Sequence, residues 1–306
     1  MKNQFKLFII LFLILTFVPL NGQTNKSKAD SLKNISLSGL KFRPIGPALT
    51  GGRVRHIAVN PFNYSEYYIA SGSGSLWKTT NNGTTFSPVF EREKVYAIGS
   101  VEIDPINPNV VWVGTGENSN HNNVAYGDGI YKSEDGGLSW KNMGLKTSEH
   151  IGGIAIDPND PNIIYAAAMG SLRKSGGDRG IFKSIDGGKT WENILSVSEF
   201  TGFYEVHMDP RFSNILYAVA HQRMRHQYTG VSGGPESGIY KSTDSGKTWE
   251  KLSGGLPAGD VGRIGIDISP VNPDYLYAVI EAKSGEGFYS WTHGSKELHV
   301  SDNFKK

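Results

Sequence analysis

The sequence predicts an all-β fold built from repeated four-stranded blades, that is, a β-propeller. Two short motifs alternate strictly along the 306-residue chain. Between them lie short runs rich in Val, Ile, Tyr and Phe, bounded by Gly, Asn, Asp and Pro, a pattern typical of strands. After the N-terminal apolar run, no segment shows sustained helical periodicity. A repeat of about 50 residues holding four short strands is typical of a propeller blade.

The first repeated motif is a turn ending in proline, followed by a short apolar strand. Asp157-Pro158 before Ile163-Ile164-Tyr165-Ala166 is a representative copy. The prolines are Pro61, Pro105, Pro158, Pro210 and Pro270, spaced by 44, 53, 52 and 60 residues. Each copy predicts the turn between the first two strands of a blade, so the chain contains about five blades.

The second motif, the Asp box, reads Ser/Thr-x-Asp/Asn-x-Gly-x-Ser/Thr-aromatic. Its four copies place the short polar residue at Asn81, Asp135, Asp186 and Asp244. Such a side chain folds back onto the backbone N–H groups of a tight turn, and the glycine supplies the positive φ that the turn requires. The final aromatic ring is expected to pack between neighbouring sheets. Because this local role is the same in every repeat, we interpret these residues as structural and not catalytic.

The order of strands in a blade predicts where a binding site lies. In the third repeat we expect strands at 153–156, 163–168, 180–184 and 190–195. In an up-and-down blade the first and third turns share one face, so the proline turns and Asp boxes lie together. The opposite face, called the loop face below, receives the irregular segments 71–75, 114–129, 169–180, 220–238 and 283–287. Loops on a rigid scaffold are where binding residues concentrate.

Polar side chains of mixed chemistry in these loops are the candidate ligand-binding residues. They are Glu117, Asn118, His121 and Asp128 in the second repeat, Arg173 and Arg179 in the third, and His221, Arg223, Arg225 and His226 in the fourth. Each also has an ordinary interpretation as a solvated loop residue or a bridge between blades. The Arg and His residues of segment 220–238 suit a carboxylate, a sugar or a peptide. The sequence identifies no catalytic residue and predicts no cofactor, and its scattered histidines lack metal-ligand spacing.

The N-terminus predicts export. Residues 1–22 contain two lysines, an apolar run and a small polar end, which is typical of a secretory signal peptide. A polar linker is expected at 23–40, the propeller repeats at 41–290, and a degenerate or truncated end at 291–306. The expected location is therefore secreted or periplasmic, with no membrane span once the signal peptide is removed.

Net charge and the absence of cysteine limit the classes of partner and chemistry that the sequence predicts. Removing Lys2 and Lys6 with the signal peptide leaves 29 basic residues against 29 acidic ones, so nucleic acid is not an expected partner. The chain has no cysteine, which excludes disulfides and a thiol nucleophile. The expected partner is a peptide, protein or glycan ligand.

The alternation of Asp boxes with Asp-Pro-x-Asn-Pro turns resembles the Asp-box (BNR) repeat propellers. Within them the chain is most similar to bacterial sortilin-type (VPS10-like) proteins, which are often labelled glycosyl hydrolases. The resemblance covers residues 42–282. Its marks are at 43–47, 51–54, 127–133 and 232–235 and in Gly114-Thr115-Gly116-Glu117-Asn118. They are specific for the repeat family and say little about activity.

The resemblance implies a recognition or scaffold propeller that holds a peptide, protein or glycan on its loops. The alternative is a glycoside hydrolase of xyloglucanase or sialidase type, and a minor alternative is an envelope assembly factor. Xyloglucanase-type enzymes place a catalytic aspartate after the second strand of the first blade, where this chain has Ser71-Gly72-Ser73-Gly74-Ser75 without a carboxylate. A glycosidase normally needs two carboxylates. We therefore favour a binding or scaffold function over catalysis.

Blade number leads to a further expectation. Five blades are counted, and the fifth Asp box is degenerate at Trp291-Thr292-His293-Gly294. Closed propellers have about four to eight blades, more often in the upper part of that range, so we expect a truncated member of a longer family. An incomplete ring is therefore expected to expose apolar faces, and contact with missing blades or another chain would cover them.

Overall fold

Strands are the only regular elements of the described residues. The computed structural model describes residues 52–119, 124–282, 289–292 and 299–300, and within these ranges it contains strands, turns and bends but no helix. All of them lie in one unit that runs from Gly51 to Lys306. The all-β prediction is confirmed.

The strands form five antiparallel sheets, one for each predicted repeat. The first contains β1 (Val54–Val59), β2 (Tyr67–Ser71), β3 (Ser75–Thr79) and β4 (Ser87–Pro88). The second contains β5 (Ile98–Ile103), β6 (Val111–Thr115), β7 (Ile130–Ser133) and β8 (Lys141–Asn142). The third contains β9 (Ile151–Ile156), β10 (Ile164–Met169), β11 (Arg179–Ser184) and β12 (Glu192–Leu195).

The last two sheets follow the same order. The fourth contains β13 (Thr201–Met208), β14 (Leu216–Arg225), β16 (Gly238–Ser242) and β17 (Glu250–Lys251), with β15 (Gly230–Ser232) paired to the far end of β14. The fifth contains β18 (Ile264–Ile268), β19 (Tyr275–Ile280), β20 (Tyr289–Thr292) and β21 (His299–Val300). The described part of the fifth sheet includes residues 289–292 and 299–300. His293 and Gly294 of its degenerate box lie outside the described residues.

Apolar side chains fill the four spaces between consecutive sheets. Tyr68 and Val101 belong to the layer between the first two sheets, and Trp112 and Ile154 to the next. The remaining two layers contain Tyr165 with Phe203, and Tyr217 with Ile264. Each sheet therefore packs face to face with its neighbours, and the first strands of adjacent sheets lie side by side at the inner edge. This is the radial arrangement of propeller blades.

The Asp boxes have the predicted geometry. In the third blade the Ser184 hydroxyl donates to Asp186 Oδ1 at 2.8 Å, and Asp186 accepts from the Thr190 N–H at 3.0 Å. Gly188 adopts φ 84° at the turn. These hydrogen bonds lower the pKa of Asp186 to about 2, the Thr190 hydroxyl being the largest cause. The copies at Asn81, Asp135 and Asp244 repeat this pattern.

Asp boxes also join blades and turns. The indole N–H of Trp191 donates to Met143 O of the preceding blade at 2.8 Å, and Trp140 donates likewise to Val89 O at 2.7 Å. The N–H of Gly187 donates to Asn162 O in the proline turn of the same blade at 3.1 Å. The prediction that proline turns and Asp boxes share a face is confirmed.

One loop prediction is wrong. Segment 220–238 was expected to be irregular, but its first six residues continue β14 as far as Arg225. Residues 223–225 pair with 230–232, which closes a hairpin on the loop face. This local pairing satisfies backbone groups that an irregular loop would have left to water.

Each end of the five-blade arc carries an exposed apolar sheet face. On β1, Ile57 is 51% exposed and Val59 45%. On β19, Tyr277 is 44% exposed and Val279 59%, although the opposite side of that strand is buried against the fourth blade. Inner blades cover the equivalent faces with a neighbour, so the described sheets form an arc and not a closed ring.

Removing one Asp-box hydroxyl should destabilise the fold. Ser184 is 2% exposed, and its oxygen also accepts from the Gly188 N–H at 2.8 Å. We expect Ser184→Ala to cost about 1–2 kcal/mol, because a buried N–H loses its acceptor. Urea unfolding measures the change. The exposed Ser73→Ala is the control, and equal midpoints for the two variants would contradict this role.

The exposed end faces should drive self-association. Sedimentation velocity of the full chain is expected to show species larger than a monomer that grow with concentration, because large apolar patches associate in water. Tyr277→Lys combined with Val279→Lys should shift the distribution toward monomer. Val271→Lys, at a turn residue that is 93% exposed, is the control. A wild-type chain that stays monomeric at every concentration would contradict the prediction.

Candidate functional site

β-Bulges interrupt the pairing of the innermost strands near the loop face. In four blades the pairing of the first strand with the second slips by one residue near this end, between Val54 and His56 in the first blade. The extra residues are Arg55, Gly99, Gly152 and Tyr204. A bulge turns its extra residue out of the sheet. The four therefore share one position at the inner edge of the loop face.

The acceptor segment, 117–119, lies across these bulges. It follows β6, and its residues Glu117, Asn118 and Ser119 are 1%, 8% and 1% exposed. The Asn118 amide donates to Gly99 O and Gly152 O, both at 3.2 Å, so it bridges two bulges. Gly116 precedes the segment at φ 88°, and a Cβ there would lie 2.0 Å from Glu149 O. The backbone is therefore held in place and presents its oxygens inward.

Arginines from three other blades donate to the acceptor segment. Arg55 Nη2 donates to Asn118 O at 2.9 Å, and Arg263 Nη2 donates to the same oxygen at 3.3 Å. Arg223 Nη1 donates to Ser119 O at 2.9 Å. Arg53 pairs with Glu117 Oε1 through two nitrogens. We call these four arginines with Tyr204 the arginine centre.

Tyr204 supports two of these cations. The guanidinium carbons of Arg263 and Arg223 lie 4.8 and 5.5 Å from its ring centroid, within cation–π range. Arg223 is 1% exposed, and its Nε and Nη2 have no hydrogen-bond partner. Burial lowers the pKa of Arg223, and the charge of Arg263 lowers it further. Positive charge is therefore concentrated where neutral carbonyl oxygens and one aromatic ring are its main partners.

Two histidines behind the arginine centre are neutral. Burial lowers the pKa of His221 to about 3, and the nearby Arg223 charge adds to the effect. Burial and Arg223 have the same effect on His150, whose pKa is also about 3. Neither ring adds positive charge at physiological pH. Within residues 52–119 and 124–282, no three His, Asp or Glu side chains come together in a way that could hold a metal ion.

Five of the ten candidate residues lie away from both the acceptor segment and the arginine centre, and a sixth, His121, lies outside the described residues. Arg179 is 3% exposed and donates to Met169 O and Ser171 O at 2.8 and 2.7 Å, which is a bridge within its own blade. Asp128 accepts from the Tyr131 hydroxyl at 2.9 Å. Arg173, Arg225 and His226 lie at a separate cavity.

Four candidate residues remain, and the predicted environment of two of them was wrong. Glu117 and Asn118 lie in the acceptor segment, while Arg223 belongs to the centre and His221 lies behind it. His221 and Arg223 are buried strand residues and not solvated loop residues, because β14 continues through them. Tyr204 and Arg263 were missed. Both stand at the loop-face end of a blade's first strand, the position that Arg53 and Arg55 also occupy.

The separate cavity, which we call the tyrosine groove, is lined by Arg173 and residues 225–230 and has a volume of about 460 Å³. Tyr228 is 88% exposed at its edge. The hairpin of β14 and β15 builds one wall, because Arg225 pairs with Gly230. An exposed aromatic ring beside arginines offers a flat apolar surface and hydrogen-bond donors together, which suits a sugar ring.

Carboxylates of the loop face are held by separate local partners. Asp178 accepts from the Thr147 hydroxyl at 2.7 Å, and Glu236 accepts from the hydroxyls of Ser198 and Thr201. Glu117 lies against the turn at 71–75, since a Cβ on Gly72 would be 3.1 Å from its carboxyl carbon. It is bound to Arg53 there. The carboxylate beside this turn is therefore an ion-pair partner supplied by the second blade.

Glu102 is an acid with a raised pKa that lies near the proline turns, on the face opposite the loop face. It lies on β5 in a cavity of about 210 Å³ lined by Ile103, Ile156, Met208, Asp209 and three prolines. Desolvation raises its pKa to about 8. The side chain is therefore mostly protonated at neutral pH, and the folded state binds a proton that the unfolded chain releases above a pKa of about 4.5.

Comparison with known proteins finds one family model and several curated relatives similar to this chain. A sortilin-Vps10 (neurotensin receptor 3) family model matches residues 128–260. The xyloglucanase Xgh74A of Acetivibrio thermocellus is 26% identical over 230 residues, 67% of this chain and 26% of the relative. The xyloglucanase of Hypocrea jecorina is 27% identical over 258 residues, 76% of this chain and 29% of the relative.

Solved structures agree on the architecture. An ancestral GH74 enzyme superposes with a TM-score of 0.64 at 24% identity, over 84% of this chain and 32% of that chain. YCF48 bound to D1 peptide superposes with a TM-score of 0.51 at 15% identity, over 84% of this chain and 70% of that chain. At these identities the likeness shows the propeller fold alone. The chain spans about a quarter of the length of the curated relatives it matches.

Glu102 makes stability depend on pH. Its contribution is fully present below pH 4.5 and is lost as pH rises through 8, because ionising the desolvated carboxyl opposes folding. We expect Glu102→Gln to stabilise the chain by about 1–2 kcal/mol at pH 8 relative to wild type, an advantage that shrinks toward pH 4.5. Urea unfolding at pH 4.5, 6 and 8 measures it. A difference that does not vary with pH would contradict the assignment.

Proposed function

We propose that this chain is the sugar-binding propeller of an exported glycan-active protein of glycoside-hydrolase type, acting on a polysaccharide held across its loop face. The observation that carries the proposal is the tyrosine groove, where an exposed aromatic ring lies beside two arginines at the hairpin of β14 and β15. The similarity to xyloglucanases supports a glycan in preference to a peptide or protein scaffold. The N-terminal sequence supports export.

Binding is the part of this activity that the described residues account for. A glycosidase needs two carboxylates on either side of the scissile bond. Glu117 is tied to Arg53, and Asp178 and Glu236 accept hydroxyl hydrogen bonds from different segments. We therefore assign the loop face to holding the sugar chain, and expect the purified chain to bind glycan without releasing reducing ends.

Hydrolysis by this chain is the second candidate, which the xyloglucanase relatives favour. If the chain alone released reducing ends, Asp128 would be the first acid to replace, because its Oδ1 is buried without a hydrogen-bond partner. Loss of release in Asp128→Asn at unchanged glycan affinity would then assign it a catalytic role.

The described residues contain no helix, and therefore no helix that could span a membrane.

Glycan binding should depend on Tyr228. We expect xyloglucan oligosaccharide to bind the full chain in calorimetry, and Tyr228→Ala to weaken it about tenfold, because stacking on an exposed ring supplies about 1–1.5 kcal/mol. Tyr64→Ala is the matched control: Tyr64 is 76% exposed and lies in a proline turn on the opposite face. Equal affinities of the two variants, or binding of peptides but of no glycan, would refute the proposal.

A further inference from the structure

The arginine centre has more positive charge than its own carboxylates neutralise. Among the described residues, Arg55, Arg223 and Arg263 form no ion pair, while Glu117 is engaged by Arg53 and by the Ser119 hydroxyl. The three unpaired guanidinium groups come from the first, fourth and fifth blades and donate to two neighbouring carbonyl oxygens. Like charges this close repel one another: burial is the main cause that lowers the pKa of both Arg55 and Arg223, and the charge of Arg263 lowers both further.

The fold tolerates this repulsion because it is rigid around the cations. Arg55 and Tyr204 are the extra residues of two β-bulges, and the Asn118 amide bridges the other two. A purely structural bridge between blades needs hydrogen-bond donors but not three net charges. A neutral amide or a single arginine would satisfy the same carbonyl oxygens.

Accessibility divides the centre into two parts. Arg53 has 42% of its side chain exposed, and Arg55 and Arg263 are half-buried. Arg223 is enclosed behind them. An anion arriving from the loop face therefore meets the forked donors of Arg55 and Arg263, while Arg223 adds a fixed charge from a poorly solvated position. Such partly desolvated guanidinium groups bind carboxylates strongly and in a defined orientation.

We propose that the arginine centre is a subsite for the carboxylate of an acidic sugar, so that a glycan carrying uronate or similar sugar-acid residues gains a contact on the loop face that a neutral glycan lacks. This inference rests on the proposed function, since it names the chemistry of the glycan that the tyrosine groove would also contact. Arg55 and Arg263 bind the carboxylate, and Tyr204 positions Arg263 by stacking under its guanidinium.

A glycan carboxylate fits this face better than the free carboxylate of a peptide. The exposed aromatic rings of the loop face, Tyr126 at 48% and Tyr228 at 88%, offer flat surfaces of the kind on which sugar rings stack. The tyrosine groove offers no apolar pocket for a peptide side chain, because its lining is Arg173 and the polar segment 225–230. Both sources share the carboxylate, and the experiment separates them.

The central comparison is between a glycan with free carboxylates and its methyl ester, which removes the charge and keeps the sugar chain; the other probes identify the source of the carboxylate. Calorimetry on the full chain would use a galacturonate oligomer, its methyl-esterified form, xyloglucan oligosaccharide, sialyllactose, and one peptide with a free or an amidated C-terminus. We expect the galacturonate oligomer or sialyllactose to bind at least tenfold more tightly than the methyl ester, and to weaken with added salt. Which of the two binds identifies the source of the sugar acid.

Variants connect this preference to the arginine centre. Arg263→Gln should weaken the acidic glycan about tenfold and leave any affinity for the neutral one unchanged, while Arg263→Lys restores part of it. Arg211→Gln is the matched control, because Arg211 pairs with Asp209 and Asp274 in the proline turns on the opposite face. Unfolding midpoints would confirm that the variants are folded.

The outcomes distinguish this inference from the proposed function. Equal binding of the free acid and the methyl ester, or an unchanged ratio in Arg263→Gln, overturns the sugar-acid subsite and leaves glycan binding intact. Binding of the free peptide carboxylate without any glycan overturns both. If no glycan binds, the proposed function fails as well.

Discussion

Face-to-face packing of blades is the constraint on which the rest of this structure depends. A four-stranded sheet with apolar side chains on both faces is stable only when each face is covered, and the layers around Tyr68, Trp112, Phe203 and Ile264 supply that cover. The inner strands must then converge, since adjacent sheets fan out from one edge. The Asp boxes hold the outer ends at this angle, because Trp140 and Trp191 each donate to the preceding blade. The end faces of the arc show what is lost without a neighbour.

Convergence of the inner strands also creates the site. Side chains far apart in sequence reach one place only because four bulges repeat at the same height and release Arg55, Gly99, Gly152 and Tyr204 from their sheets. Two of these are glycines whose carbonyl oxygens hold Asn118, and two contribute charge and an aromatic ring. The same structural defect therefore serves as both support and binding surface. Its rigidity lets several arginines remain close together without matching carboxylates.

The repeated motifs allowed the fold to be predicted from the sequence. The arginine centre contains no repeated motif, so the sequence did not predict it as a site. The Asp box at Asp186 has a fixed spacing and one local solution, so the third-blade strands were predicted to within two residues of their observed limits. The arginine centre has no such spacing, because Arg55 and Arg263 are 208 positions apart and meet only where the inner strands of the five blades converge on Asn118. Segment 220–238 was misjudged because its polar composition masked the continued pairing of β14. The chemistry of Glu117 and Arg223 made them candidates from the sequence. Their burial could not be predicted, because residues of other blades cover them.

The most direct test of this account is hydrogen–deuterium exchange of the full chain with and without a saturating glycan. We expect protection on binding at 53–55, 117–119, 225–230 and 263, the loop-face segments that frame the arginine centre and the tyrosine groove. The proline turns, including 60–66, should exchange at the same rate in both states. Protection confined to the turns and Asp boxes, or unchanged exchange at the loop face with bound glycan, would contradict the assignment of this face to glycan recognition.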